Sequence, residues 1–277
     1  VARVELRKGN LLFLNDGSAA IELVSADLIV TAVYPSDRQG TLDPKSPYYG
    51  MKDFEQQKKI EAIAKVAAVK VGGEGRAVIE SNAKLALALG ADQAKVDSDK
   101  AAFDAAAGKL TEAAKATDIE VTQMYADADG VYLVKPDDEP QTQLYKSLGV
   151  TLTELRPDGN YYWDIYSWEN AGKAMSGDVI MLSPEGFQIA DLKKQPTFAK
   201  DPALVAGQVY PNPYTAMDYS AQAKAMDVLT GYLTTAKLLP PEQFARLVGG
   251  TTQAENSGNL ATHIGASRPL AASLSGP

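Results

Sequence analysis

The residues of this chain that could do chemistry are aromatic rather than nucleophilic. Five rings stand between positions 161 and 168, namely Tyr161, Tyr162, Trp163, Tyr166 and Trp168. They follow Asp158-Gly159, a turn signal, so we expect them on a loop at the end of a strand. Such rings offer rigid contact area with a polar handle, which suits the capture of a small molecule. The alternative is a packed corner between a sheet and a helix.

A second group of tyrosines follows the first clear buried strand, the β-branched run Asp27–Val33. The long loop after this strand carries Tyr34, Tyr48 and Tyr49. Ligands of open α/β sheets bind beyond the carboxyl ends of the strands, so both aromatic groups could face one cleft. Tyr125 ends another predicted strand and could join them.

Two arginines and one further tyrosine complete the predicted ligand-binding set, which adds Arg38, Arg156 and Tyr214. Arginine can meet an anionic ligand with two parallel hydrogen bonds. For each arginine the alternative is an ordinary solvated side chain.

Composition leaves little room for catalysis or metal binding. The chain has no cysteine and one histidine, His263, in a Gly/Ser/Ala-rich tail. Thiolate chemistry and a multi-histidine metal site are therefore excluded, and we predict no resident metal or cofactor. The run Asp137-Asp138-Glu139 lacks the alternating ligands of a calcium loop, and we interpret it as complementing a helix dipole. A net charge of −8 argues against a nucleic-acid partner.

Hydrophobic periodicity predicts an α/β protein of two lobes, with central sheets flanked by helices. A single long amphipathic helix, from about Gln93 to Ala116, is placed to connect the lobes. We therefore expect an amino-terminal lobe at 1–92, the connecting helix at 93–116, a carboxyl-terminal lobe at 117–239 and a tail of uncertain structure at 240–277.

Local signals place several elements of the second lobe. The strand-like runs Ile119–Tyr125 and Val131–Val134 flank Asp129-Gly130, a hairpin signal. Asp178–Leu182 predicts a buried strand. A face of apolar and small residues predicts a long helix from about Ala216 to Lys237.

Several segments, taken in order, resemble class III solute-binding proteins, the extracytoplasmic receptors of ABC importers for iron–siderophores, haem and cobalamin. The likeness includes Ile21-Glu-Leu-Val24 and Asp27-Leu-Ile-Val-Thr31 and is sharpest at Ser167-Trp-Glu-Asn170 and Gly177-Asp-Val-Ile-Met-Leu182. It continues through Gln195-Pro-Thr-Phe198 and Ala203-Leu-Val-Ala-Gly-Gln-Val-Tyr210. Fewer residues precede Asp27 than is usual in this family, so we expect an amino-terminal lobe that is shortened, incompletely represented in this sequence, or built differently.

The resemblance implies a binding protein rather than an enzyme, with the ligand held between two α/β lobes. It also implies one exposed carboxylate per lobe that docks onto permease arginines, at Glu22 and Glu169, which otherwise are plain surface acids. The family is extracytoplasmic, so we expect a periplasmic protein or one held at the outer face of the cell membrane, as a lipoprotein whose lipid anchor lies outside the chain.

The predicted function is capture of an iron(III)–siderophore and its delivery to an ABC importer permease. The chelate brings its own oxygen ligands, so the protein needs no metal-binding side chains. We favour the hydroxamate class because only two arginines stand near the proposed cleft loops, whereas catecholates carry several negative charges. The alternatives are another bulky ligand, such as haem, a cobamide or a secondary metabolite, or a cleft enzyme such as a lyase.

Overall fold

The computed structural model describes residues 3–6, 9–13, 27–156 and 161–248. These residues form two compact units, one up to Gly72 and one from Gly73 onward, and each unit has its own sheet. The predicted α/β class, with sheets flanked by helices, is confirmed. Within these ranges no helix is both long and apolar enough to cross a membrane.

The first unit is a four-stranded sheet with its strands in chain order. The strands are β1 (Arg3–Leu6), β2 (Gly9–Phe13), β3 (Leu28–Val33) and β4 (Lys65–Lys70). The β1–β2 pair is antiparallel and the other neighbours are parallel. Helix α1 (Phe54–Glu61) connects β3 to β4 and is capped by Asp53, whose carboxylate accepts the backbone N–H of Gln56 at 2.8 Å.

The sheet of the second unit has six strands. They are β5 (Glu120–Ala126), β6 (Gly130–Val134), β7 (Thr151–Leu152), β8 (Trp163–Ser167), β9 (Val179–Gly186) and β10 (Val209–Pro211). The spatial order is β10-β9-β5-β6-β8, and the short β7 pairs with the start of β5. Consecutive residues of β5 and β9 are buried, as expected for a sheet covered by helices on both faces.

The helices of the second unit include two long ones that pack along each other, α3 (Gln93–Lys115) and α8 (Tyr219–Thr235). The others are α2 (Gly75–Ala88), α4 (Pro140–Ser147), α5 (Trp168–Ala171), α6 (Ile189–Leu192), α7 (Pro202–Ala206) and α9 (Pro241–Val248). The predicted long helices, the hairpin and the buried strand near Asp178 are therefore confirmed.

One local prediction is wrong. The aromatic segment after Asp158-Gly159 is not a loop from 163 onward, because Trp163–Ser167 is the edge strand β8. Its backbone pairs antiparallel with β6, and this pairing is a long-range contact that the turn signal does not reveal.

Domain organisation stays partly a prediction. Helix α3 packs on α8 within the second unit, whereas the role expected for it is to connect two lobes. The lobes at 1–92 and 117–239 remain expectations. In the range 240–277 the structure describes α9, and the rest of that range lies outside the described residues.

The cap of α7 predicts a stability change with pH. Asp201 is 1% exposed, and its Oδ1 accepts the backbone N–H of Leu204 at 3.0 Å. Burial raises the pKa of Asp201 from 3.8 to about 6, so the folded state binds this proton more tightly than the unfolded state. This group therefore stabilises the fold most below pH 4, and its contribution is lost as the pH rises to 6. At roughly 1.4 kcal/mol per pH unit, the loss is about 3 kcal/mol.

We expect Asp201→Asn to keep the cap, because its amide oxygen still accepts a hydrogen bond, and to be more stable than the parent at pH 7.5. The difference should vanish near pH 4, and urea unfolding across this range measures it. Asp218→Asn at the half-buried cap of α8 is the matched control. A difference for Asp201→Asn that stays constant with pH contradicts the prediction.

Candidate ligand-binding site

Five aromatic rings of the second unit form a continuous series, which we call the aromatic row. In spatial order it consists of Tyr125, Tyr132, Trp163, Tyr162 and Tyr161. Successive ring centroids are 5.3, 6.2, 4.9 and 6.3 Å apart, separations typical of tilted and edge-to-face aromatic pairs. All five side chains are half-buried, so the row leaves part of its apolar area exposed.

Strand register brings the first three rings together. In the β5–β6 hairpin, Tyr125 lies directly opposite Tyr132. On the other side of β6, Trp163 of β8 lies opposite Val134. Successive side chains of a strand alternate between faces, so Tyr132 and Trp163 point to the same face as a diagonal pair.

A glycine at the end of β9 lets that strand pass close to Tyr125. Gly186 has a φ of +76°, and a Cβ there would lie 2.2 Å from the backbone oxygen of Ala126. The same Cβ would lie 2.7 Å from the Tyr125 ring. Only glycine combines this backbone conformation with so close an approach, so Gly186 allows β9 to pack against the Tyr125 end of the row.

The other end of the row is a strained turn. Tyr162 has a φ of +73° and is the only residue other than glycine with positive φ in the described part of the chain. Across it, the Trp163 N–H donates to the Tyr161 carbonyl at 2.9 Å, the three-residue hydrogen bond of a γ-turn. A left-handed backbone costs a residue with a Cβ about 1–2 kcal/mol, so surrounding contacts must hold it.

Asp138, in the loop after β6, supplies several of those contacts. Its Oδ2 accepts the backbone N–H of Tyr162 at 3.0 Å, and its backbone carbonyl accepts the Tyr161 hydroxyl at 3.1 Å. From the same loop, the Lys135 N–H donates to the Tyr162 carbonyl at 2.9 Å. Asp138 is 3% exposed, so water competes little for its hydrogen bonds.

Acidic side chains lie near the middle of the row. Burial and the nearby carboxylates of Asp127 and Asp129 raise the pKa of the Tyr132 hydroxyl to about 12. This hydroxyl is therefore neutral at physiological pH, and the charge beside it is negative. Such a field disfavours an anionic ligand at this part of the row.

Tyr166 and Arg156 lie in a separate cluster, because Tyr166 points to the opposite face of β8 from Trp163. The Tyr166 hydroxyl donates to Asp164 Oδ2 at 2.7 Å, and Arg156 hydrogen-bonds both carboxylate oxygens of Asp164. Burial raises the pKa of Asp164, but the hydrogen bonds from Arg156 and Tyr166 outweigh it and hold the pKa below its usual value. Arg156 is thus already paired with a carboxylate of its own chain.

The first unit has its own tyrosine group after β3. The rings of Tyr34 and Tyr49 meet edge to face, with 5.8 Å between their centroids. Tyr49 is tied to β3, because its N–H donates to the Ala32 carbonyl at 2.9 Å. Tyr48 packs against the core of the unit, and Arg38 is exposed on the loop. Ligand contact by these residues stays a prediction.

The remaining predicted residues are Tyr214, Glu169 and Glu22. Tyr214 is 59% exposed and borders a cavity of about 460 Å³ formed by the segment after β10 and helix α8. Glu169 is exposed in the first turn of α5, where hydrogen bonds from its own backbone and from Ser167 lower its pKa. Glu22 lies outside the described residues.

Trp168, the last ring of the aromatic segment, packs between Phe187 and Phe198 with centroid distances of 6.0 and 5.9 Å. This packing fits the alternative of a corner between sheet and helix for this residue. Tyr132 is not among the predicted residues, although its ring lies between those of Tyr125 and Trp163 in the row. The hairpin signal at Asp129-Gly130 places Tyr132 on the strand next to Tyr125, but it does not give the register that pairs the two residues.

Comparison with known proteins places the fold. No protein-family model and no curated protein sequence matches the chain. Among solved structures, DesE, a ferric-siderophore receptor protein from Streptomyces coelicolor, is 28% identical with a TM-score of 0.66, over 77% of this chain and 72% of its own.

Two other solved structures are more distant and show the fold alone. A siderophore periplasmic binding protein from the fuscachelin gene cluster of Thermobifida fusca is 20% identical with a TM-score of 0.57, over 76% of this chain and 74% of its own. The siderophore binding protein FhuD from Vibrio cholerae is 16% identical with a TM-score of 0.54, over 76% of each chain. Together the matches confirm the predicted resemblance to class III solute-binding proteins, and the three matched proteins are binding proteins rather than enzymes.

Proposed function

We propose that this chain, which has the fold and sequence pattern of class III solute-binding proteins, captures an iron(III)–siderophore outside the cytoplasm and delivers it to an ABC importer permease. The similarity to a ferric-siderophore receptor supports the ligand class. The observation that carries the proposal is the aromatic row, five half-buried rings in contact on the second unit.

The row suits a preformed metal chelate. A ferric siderophore presents its organic backbone to the protein and keeps the iron within its own oxygen atoms. The receptor therefore needs contact area and hydroxyl groups rather than metal ligands.

Charge around the row favours the hydroxamate class. Arg156, the arginine next to the aromatic segment in the sequence, is paired with Asp164. Asp127 and Asp129 add negative charge near Tyr132. Ferric catecholates are polyanions and need cations, whereas ferric trihydroxamates are close to neutral.

Titration of the full chain tests this proposal. We expect a ferric trihydroxamate to quench tryptophan fluorescence with a submicromolar Kd, because Trp163 lies within the row. A ferric tricatecholate should bind at least 10-fold more weakly, with haem and cobalamin as further competitors. Iron-free hydroxamate is the control for non-specific quenching. Tighter binding of the catecholate contradicts the hydroxamate assignment, and no saturable response to any ferric chelate contradicts the siderophore function.

Delivery to the permease is tested separately, by measuring uptake in cells. Glu169 is exposed and ionised, as a residue that docks onto permease arginines must be. We expect Glu169→Ala to bind the chelate like the parent and to lower uptake in cells that express the cognate permease. Unchanged uptake contradicts docking through Glu169.

A further inference from the structure

We propose that Asp138 is a positioning residue, which holds the aromatic row in its binding arrangement by keeping Tyr162 in the left-handed backbone conformation. The inference rests on the proposed function for its effect on the ligand. Its effect on ring geometry stands on the contacts within the second unit alone.

The geometry makes the row depend on one dihedral angle. Tyr162 lies between Tyr161 and Trp163, so rotation about its backbone moves the two neighbouring rings relative to each other. A residue with a Cβ relaxes from a φ of +73° towards the extended or right-handed region unless it is held. Asp138 opposes this relaxation because its side-chain Oδ2 accepts the Tyr162 N–H. Its backbone carbonyl accepts the Tyr161 hydroxyl, a contact that Asp138→Ala keeps.

The three consecutive acids at 137–139 have three different roles in the structure. Asp137 is exposed and forms an ion pair with Lys146 at 2.7 Å. Glu139 caps α4, where its carboxylate accepts the Thr142 N–H at 2.6 Å. Asp138 differs from both because it is buried and turned towards Tyr162. The dipole interpretation therefore fits Glu139 and does not account for Asp138.

Near-ultraviolet circular dichroism of the ligand-free chain tests ring positions directly, because the Tyr162 and Trp163 rings are 4.9 Å apart. We expect Asp138→Ala to change this spectrum and to weaken ferric trihydroxamate binding at least 10-fold. Asp138→Asn should restore both, because its amide oxygen can still accept the Tyr162 N–H. The matched control is Asp137→Ala, which should leave both unchanged. An unchanged spectrum in Asp138→Ala, or no rescue by Asp138→Asn, overturns the proposal.

A second measurement separates the effect of the Tyr162 backbone conformation from the effect of its ring. Tyr162→Gly and Tyr162→Ala both remove the ring, but only glycine adopts positive φ without help. Asp138→Ala should therefore change the near-ultraviolet signal of Trp163 less in the Tyr162→Gly background than in the Tyr162→Ala background. Equal changes in the two backgrounds overturn the proposal. This comparison does not require Asp138→Ala to fold with Tyr162 present.

These measurements separate the two claims. A parent chain that binds no ferric complex refutes the proposed function, and the near-ultraviolet spectra still decide whether Asp138 positions the rings. A parent chain that binds normally while Asp138→Ala keeps its spectrum and affinity refutes the positioning role alone.

Discussion

The double variant Tyr162→Ala/Trp163→Ala is expected to lose at least 100-fold in affinity for a ferric trihydroxamate. The two rings are the closest neighbours in the aromatic row, 4.9 Å between centroids, and both are half-buried. Aromatic anchors of this kind typically contribute about 2 kcal/mol or more each to binding, which corresponds to roughly 30-fold per ring. Isothermal titration calorimetry is the measurement, because the variant lacks the fluorescent reporter Trp163.

The control for that variant removes another aromatic pair of the same unit. Tyr210 and Tyr232 stack at 4.3 Å outside the row. Tyr210→Ala/Tyr232→Ala should lower stability and leave the Kd within about 3-fold of the parent. If the two double variants lose affinity equally, or if the row variant binds normally, the row is not the binding surface.

Gly186→Ala is expected to destabilise the second unit by about 3 kcal/mol or more. The added Cβ would lie 2.2 Å from a backbone oxygen, so β5 and β9 must separate, and it also carries the cost of a positive φ. Because the same Cβ would contact the Tyr125 ring, ligand affinity should fall as well. Urea unfolding gives the free energy, and calorimetry on the folded variant gives the affinity.

Gly207 is the matched control for this prediction. Its φ is +72°, nearly that of Gly186, but nothing lies within 4 Å of the position of a Cβ. Gly207→Ala should therefore cost only the backbone strain, about 1–2 kcal/mol, and leave affinity unchanged. If the two substitutions lower the free energy of unfolding equally, close packing of β9 against Tyr125 does not contribute to the destabilisation by Gly186→Ala.

Local elements were predictable because their causes are local. Helix α3 begins directly after Asp92, which caps it by accepting the Ala94 N–H, and its apolar positions recur at helical spacing. Asp129-Gly130 predicts the hairpin for the same reason. This signal does not predict the register, because a two-residue turn at 129–130 would pair Tyr125 with Val134. In the structure residues 127–129 connect the two strands, and Tyr125 pairs with Tyr132.

By itself the sequence determined the α/β class and the positions of most helices and strands, and it predicts a ligand chemistry based on rings rather than on thiols or imidazoles. Only the tertiary structure decided which rings meet. Trp168 and Tyr166 turn towards the core, whereas Tyr132 joins the row and Asp138 holds its end. These outcomes depend on strand register and on contacts between residues far apart in the chain, and local composition does not encode such pairings.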